Sequence, residues 1–140
     1  MHDPFSPESV VRGYFDALNK RDYARARSVI AHDCEWWSMA TGNMHTGGAA
    51  IVAGLDEFSS SFPDWRADVD RVVASGEIAV VEWTTSGTFQ AMFRGRLPNG
   101  KAFRRSGCSV AEVNKGQIVR YRDYYDRVSL LEQLDLMDLL

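Results

Sequence analysis

Two carboxylates, Asp123 and Asp126, stand among three tyrosines in the run Tyr121-Arg122-Asp123-Tyr124-Tyr125-Asp126. Asn114-Lys115-Gly116 supplies hairpin-turn chemistry just upstream, so the run reads as a strand. Side chains alternate along a strand, which puts Tyr121, Asp123 and Tyr125 on one face. Arg120, Arg122, Tyr124 and Asp126 then share the other. If the first face lines a pocket, Asp123 is a carboxylate held among aromatic rings. Desolvation disfavours its anion and moves its pKa up, towards the range useful for proton transfer near neutrality. Asp126, at the strand end before a Leu-rich tail, reads as a helix cap or an ion-pair partner.

Other residues could assist such an acid. Tyr14 lies on the apolar face of a first helix, as a core residue or a hydroxyl donor to a ligand. Ser38 and Ser109 could hydrogen-bond a substrate carbonyl. His45, between Met44 and Thr46 near the expected cavity mouth, is either a base or a surface loop residue. Glu35 and Glu82 occur in apolar strands, and either becomes a second acid/base if it faces inward. Trp36 and Trp37 are adjacent, so only one can face a cavity. Phe62, Trp65, Trp83 and Phe89 would line its wall with Tyr121 and Tyr125. Met39, Met44, Met92 and Phe93 would extend an apolar mouth. His2, in the N-terminal tail, His32 and His45 have no ligand spacing, so no metal is expected. No phosphate-cradling glycine loop is present, so no nucleotide cofactor is expected, and no Gly-x-Ser-x-Gly elbow supports a serine nucleophile.

Periodicity shows what must position these groups. Ser6-Pro7-Glu8 starts a helix with a capping hydroxyl, a first-turn proline and an acid at its positive end. Val10, Val11, Tyr14, Phe15 and Leu18 follow at helical spacing. Asp22 caps a second short helix predicted through Ile30, with His32 at its C-terminal end. Cys34 to Met39 reads as a short strand, and Thr41-Gly42-Asn43 as a turn. A third helix after Thr46-Gly47-Gly48 buries Ile51, Val52, Leu55 and Phe58. Beyond Phe62-Pro63-Asp64-Trp65 the period becomes two, predicting strands over Arg66–Ala74, Ile78–Phe89, Ala102–Val113 and Gln117–Asp126. The segment Gln90 to Gly95 has no strong period and reads as a mobile loop over the entrance. A last helix is expected from Ser129 to about Asp138. Helices first and an antiparallel meander afterwards mean an α+β fold. A curved sheet with helices closing its concave side is a cone with a mouth.

The bulk numbers set limits. The chain has 140 residues, is 45% hydrophobic and carries a formal net charge of -3. That suits one domain with a real core and no basic patch for nucleic acid. No apolar run is long enough to span a membrane, and the start Met1-His2-Asp3-Pro4 lacks the order of a secretory signal. Cys34 and Cys108, in separate predicted strands, read as reduced thiols of a cytoplasmic protein rather than a disulfide. Four tryptophans and 11% aromatic residues fit either a well-packed core or a pocket for an apolar, polycyclic ligand.

Several motifs resemble the nuclear transport factor 2-like superfamily and, within it, the SnoaL-like polyketide cyclases. They are Phe62-Pro63-Asp64-Trp65, Glu82-Trp83-Thr84-Thr85-Ser86-Gly87-Thr88, Pro98-Asn99-Gly100-Lys101, Gly116-Gln117-Ile118-Val119, and Asp126 followed by Glu132-Gln133-Leu134. Their order spans most of the chain. The resemblance implies a single domain over residues 1–140. Its form would be a curved antiparallel sheet forming a cone with helices packed on it, a cystatin-like α+β barrel, with a homodimer as the expected assembly.

In the anthracycline cyclases of that family, the aspartate of an Arg-Asp-aromatic run is the general acid/base, and Arg122-Asp123-Tyr124 is similar. Limonene epoxide hydrolases use the aspartate of a Trp-Arg-Asp-Tyr-Phe-Asp run, which Tyr121 to Asp126 resembles. Tyr14 falls at the oxyanion-binding tyrosine of ketosteroid isomerases, and the alignment chooses Trp36 over Trp37 for the cavity. The cyclases' histidine falls at Ser109. The epoxide hydrolases' Arg-x-Asp reads Glu82-Trp83-Thr84, and their water-holding tyrosine and asparagine fall at Trp36 and Ser38. The isomerases' base and second acid fall near Ser38 and Ser109. The chain keeps one acid and rebuilds the rest. The resemblance implies a cofactor-independent acid/base enzyme acting on a small apolar, polyketide-like substrate, by intramolecular aldol cyclisation or isomerisation. Epoxide hydrolysis, epoxide-opening cyclisation and a non-catalytic binding module are the alternatives.

Overall fold

Ser6 accepts a hydrogen bond from the backbone N–H of Ser9, and Pro7 opens the first turn of α1 (Pro7–Asn19). The computed structural model describes residues 3–140, so His2 lies outside the described residues. Val10, Val11, Tyr14, Phe15 and Leu18 are all buried, as their helical spacing requires. Asp22 caps α2 (Tyr23–Ser28) through the Arg25 N–H.

The second helix is shorter than its sequence suggests. Ile30 already opens β1 (Ile30–Ser38), because the Ile118 N–H bonds to the Val29 carbonyl at 2.8 Å and draws this segment into the sheet. His32 is therefore an exposed strand residue, not a helix terminus. His45 lies in a short strand, β2 (Met44–Thr46), that pairs antiparallel with β1, and not in a loop. Gly47 then turns into α3 (Gly48–Ser60) with φ at 86°. A Cβ there would meet the His32 carbonyl at 2.8 Å, so glycine is required on both counts.

The four remaining strands are β3 (Arg66–Ser75), β4 (Ile78–Thr88), β5 (Ala102–Asn114) and β6 (Gln117–Tyr125), joined as an antiparallel meander. Lys115 and Gly116 both have positive φ, at 52° and 78°, as the two central positions of a tight hairpin demand. The sheet order is β2-β1-β6-β5-β4-β3, curved and unclosed. β1 runs parallel to β6, so the sheet is mixed and the antiparallel expectation holds for every other pair.

Asp126 caps α4 (Arg127–Gln133) by accepting from the Ser129 N–H. The predicted continuation to Asp138 fails because Asp135 adopts a left-handed backbone, φ 60°, and only a 3₁₀ turn at Met137–Leu139 follows. Leu130, Leu131, Leu134 and Leu136 are buried, while Met137 is exposed. No helix among the described residues is long and apolar enough to cross a membrane.

Candidate active site

The inner face of the sheet and the helices enclose a cavity of about 310 Å³ that opens to solvent. α1 contributes Tyr14, β1 Trp36 and Ser38, β4 Trp83, and β6 Tyr121, Asp123 and Tyr125. Trp65 precedes β3 and closes another side, and His45 stands at the wall from β2. Trp36 and Tyr121 are cross-strand neighbours, and their rings stack at 3.6 Å with planes 12° apart. Ser38 Oγ and Tyr125 Oη share a hydrogen bond of 2.7 Å.

Asp123 is half-buried, open to the cavity rather than to bulk water. Its register partner on β5 is Ser109, whose hydroxyl donates to Asp123 Oδ1 at 2.5 Å. Ser109 in turn accepts the Trp83 Nε1–H at 2.8 Å. An indole nitrogen can only donate, so the first link runs from Trp83 to Ser109, and an ionised Asp123 can only accept from that hydroxyl. Burial raises the Asp123 carboxyl from 3.8 to about 6, opposed by the Ser109 hydroxyl, the Trp36 indole and the Arg105 charge. A carboxylate poised there can take and return a proton near neutral pH. Burial and then the Asp123 charge push the hydroxyls of Tyr14 and Tyr121 well above the ordinary tyrosine value. Both remain hydrogen-bond donors.

Residues 8–134 match the family model of the SnoaL-like polyketide cyclases. The chain belongs to that family. Wild-type IdmH from Streptomyces antibioticus, described as a candidate polyketide cyclase, shares 25% identity at a TM-score of 0.83, over 92% of this chain and 98% of that one. AclR from Streptomyces galilaeus, described as a candidate hydroxylase, shares 20% identity at a TM-score of 0.81, over 92% and 80%. A candidate SnoaL-like polyketide cyclase from Jannaschia sp. CCS1 shares 17% at a TM-score of 0.83, over 96% of both chains. The last two likenesses speak for the fold alone. A search of curated proteins returns no significant match.

Within this SnoaL-like cavity the expected residues fall into two groups. Asp123, Tyr14, Trp36, Ser38, His45, Trp65, Trp83, Tyr121 and Tyr125 line it, and Ser109 lies directly behind Asp123. Glu35 and Glu82 do not. Alternation that turns Trp36 and Trp83 inward turns their preceding glutamates out, where Glu82 pairs with Arg71 at 2.7 Å. Phe62 and Phe89 are fully buried but sit back in an aromatic cluster with Phe103, and Phe58 and Phe93 form the wall instead. Met39, Met44 and Met92 are exposed and take no part in the lining.

The segment expected as a mobile loop is tied down. Ser61 holds it through its own hydroxyl on the Met92 carbonyl and its carbonyl on the N–H groups of Gln90 and Ala91. Cys34 and Cys108 are free thiols. Burial pushes the Cys34 thiol up to about 12, while Cys108 borders a shallow outer hollow with Arg71 and Glu82. Among the described residues, no group of three His, Cys, Asp or Glu side chains is placed to hold a metal ion.

Sequence reasoning missed Arg105, Thr85, Arg94 and Arg127, which also line the cavity. Arg105 was legible. The alternation that brings Ser109 inward on β5 also brings in Gly107 and Arg105. Among the described residues, the buried side-chain polar atoms without a hydrogen-bond partner are Tyr14 Oη, Trp65 Nε1, Thr85 Oγ1, and Arg105 Nε and Nη1. All belong to residues of the cavity wall.

Proposed function

We propose that this protein is a cofactor-independent enzyme in which Asp123 moves a proton on a small polyketide-like ketone, closing a ring by intramolecular aldol addition. The observation that carries the reading is Asp123 itself, a carboxyl raised to about 6 inside an aromatic cavity and oriented by Ser109. Membership of the SnoaL-like family and the likeness to IdmH support it.

In the proposed step, the ionised Asp123 removes a proton from the carbon beside a carbonyl, and the C–H electron pair becomes an enolate. Tyr14 Oη, buried and without a protein partner, donates to the enolate oxygen. The nucleophilic carbon attacks a second carbonyl of the same molecule, forming the C–C bond. The new alkoxide takes the proton back from Asp123, so product and substrate are isomers. General acid/base transfer contributes roughly 10²- to 10⁴-fold in rate, and the shaped cavity adds orientation.

The test is mass spectrometry after incubating wild type and Asp123→Asn with anthraquinone-type keto esters and epoxides in heavy-oxygen water. A product of unchanged mass made by wild type alone is the expected result. Uptake of labelled oxygen would assign epoxide hydrolysis instead. Ligand retained unchanged by both proteins would make the domain a binding module.

A further inference from the structure

We infer that Arg105 is an anion-recognition residue of this cavity, which takes a substrate bearing a free carboxylate remote from its reacting carbon. The inference rests on the reading of this cavity as the substrate site. Three observations lead to it.

First, Arg105 is a held but unpaired cation. Its guanidinium carbon lies 4.3 Å from the centroid of the Tyr125 ring and 6.0 Å from that of Phe103. Stacking of this kind orients the planar fork and leaves its edge free to bond. Nε and Nη1 are buried with no hydrogen-bond partner among the described residues, and no carboxylate lies within ion-pair distance. Burial lowers its pKa, while Tyr125, Asp123 and Asp126 pull it back up. A buried guanidinium without a partner is costly, and a carboxylate supplies the bidentate acceptor that matches it.

Second, the charges on the wall are unequal. Arg94 and Arg127 join Arg105 in lining the cavity, whereas Asp123 is its sole carboxylate. Neither Arg94 nor Arg127 makes an ion pair among the described residues. Arg94 lies over the Phe93 ring and Arg127 donates to the Leu139 carbonyl. The remaining wall is largely aromatic and aliphatic, so the fitting ligand is a ring system with one ionised acid group.

Third, the acid and the cation are spaced apart. Tyr125, under the Arg105 guanidinium, lies two residues beyond Asp123 on the same face, ~7 Å along the strand. That is about the width of a fused pair of rings. The carboxylate is thus a handle that orients the substrate, and it is not the group that reacts.

Binding of anthraquinone-2-carboxylate and of its methyl ester, titrated by quenching of tryptophan fluorescence at pH 8, tests this directly. Wild type should bind the acid at least about tenfold more tightly than the ester, as expected for a desolvated charge-assisted pair. Arg105→Met should lose that preference, and Arg105→Lys should retain part of it. Equal binding of acid and ester by wild type, no detectable binding of the acid, or a preference that survives in Arg105→Met would each overturn the inference. Should Arg105→Met fail to fold, the wild-type ratio and the Arg105→Lys ratio decide, with an undiminished preference in Arg105→Lys counting against the fork. Binding is read here without turnover. Failure would leave the acid/base role of Asp123 standing, and loss of turnover in Asp123→Asn tests that role alone.

Discussion

Ser109 Oγ donates its hydrogen to Asp123 Oδ1 across 2.5 Å. Trp83 Nε1 donates to the same hydroxyl, and an ionised carboxylate has no proton to give, so towards the Asp123 anion Ser109 donates. The serine stabilises the anion of Asp123, while burial opposes it. The position of the carboxyl near 6 is the balance of the two, with burial the larger.

That balance links stability to pH. Between 3.8 and about 6 the folded protein holds a proton on Asp123 that the unfolded chain has released. The stability contributed by this group is complete below 3.8 and is lost as pH rises through about 6. Asp123→Asn removes the buried anion, so the variant should gain on wild type above pH 6, by at most about 3 kcal/mol. Near pH 4 the two should be close. Urea unfolding from pH 4 to 8 measures the difference, and a pH-independent loss in the variant would refute the buried-anion account.

Turnover should follow the same ionisation in the opposite sense. If Asp123 acts as the base, kcat/KM rises with pH through an inflection at about 6 and is level from 7 to 8. A profile that falls through the same inflection would assign the reactive form to the neutral carboxyl.

Ser109→Ala should move that inflection upward, because the hydroxyl that lowers the Asp123 pKa is gone. The variant also leaves the buried Trp83 N–H without an acceptor, a loss of about 1–3 kcal/mol in stability. Thermal unfolding and a pH–rate profile on one preparation separate the two effects. An unmoved inflection would show that the serine is structural only.

Gly107 lies between Arg105 and Ser109 on the inner face of β5. A Cβ there would come within 2.5 Å of the Trp83 ring and 2.6 Å of the Tyr124 carbonyl oxygen. The carbonyl belongs to the paired strand and cannot retreat, so the indole must. Gly107→Ala should cost about 1–3 kcal/mol and displace Trp83 from Ser109. A near-ultraviolet circular dichroism spectrum identical to wild type, with unchanged melting, would contradict this packing.

Much of the site could be read from local pattern. Alternation by two placed Asp123 with Tyr121 and Tyr125, and the helical repeat turned Tyr14 inward. Spacing could not tell which face of each strand was inside. Glu35 and Glu82 were left open for that reason, and each became an outer residue once its neighbouring tryptophan filled the core. Arg105 was overlooked because an arginine in a strand reads as solvated until its neighbours are seen to bury it.

The chain's own alternation and turn residues were enough to set Ser109 and Asp123 each on a strand, with Asp123 sharing a face with Tyr121 and Tyr125, since both signals act over a few residues. Their meeting was not legible. Asn114 pairs with Gln117 at the turn, and continuing that register would set Ser109 opposite Arg122. A shift between Glu112 and Val113 leaves Val119 as an extra residue on β6, and Ser109 then pairs with Asp123. The parallel docking of β1 on β6 likewise drew Ile30 and His32 out of the expected helix and stacked Trp36 on Tyr121. A one-residue slip exchanges every inward side chain for an outward one, so burial of the whole face, contributed by helices and strands far away in the chain, selects the register.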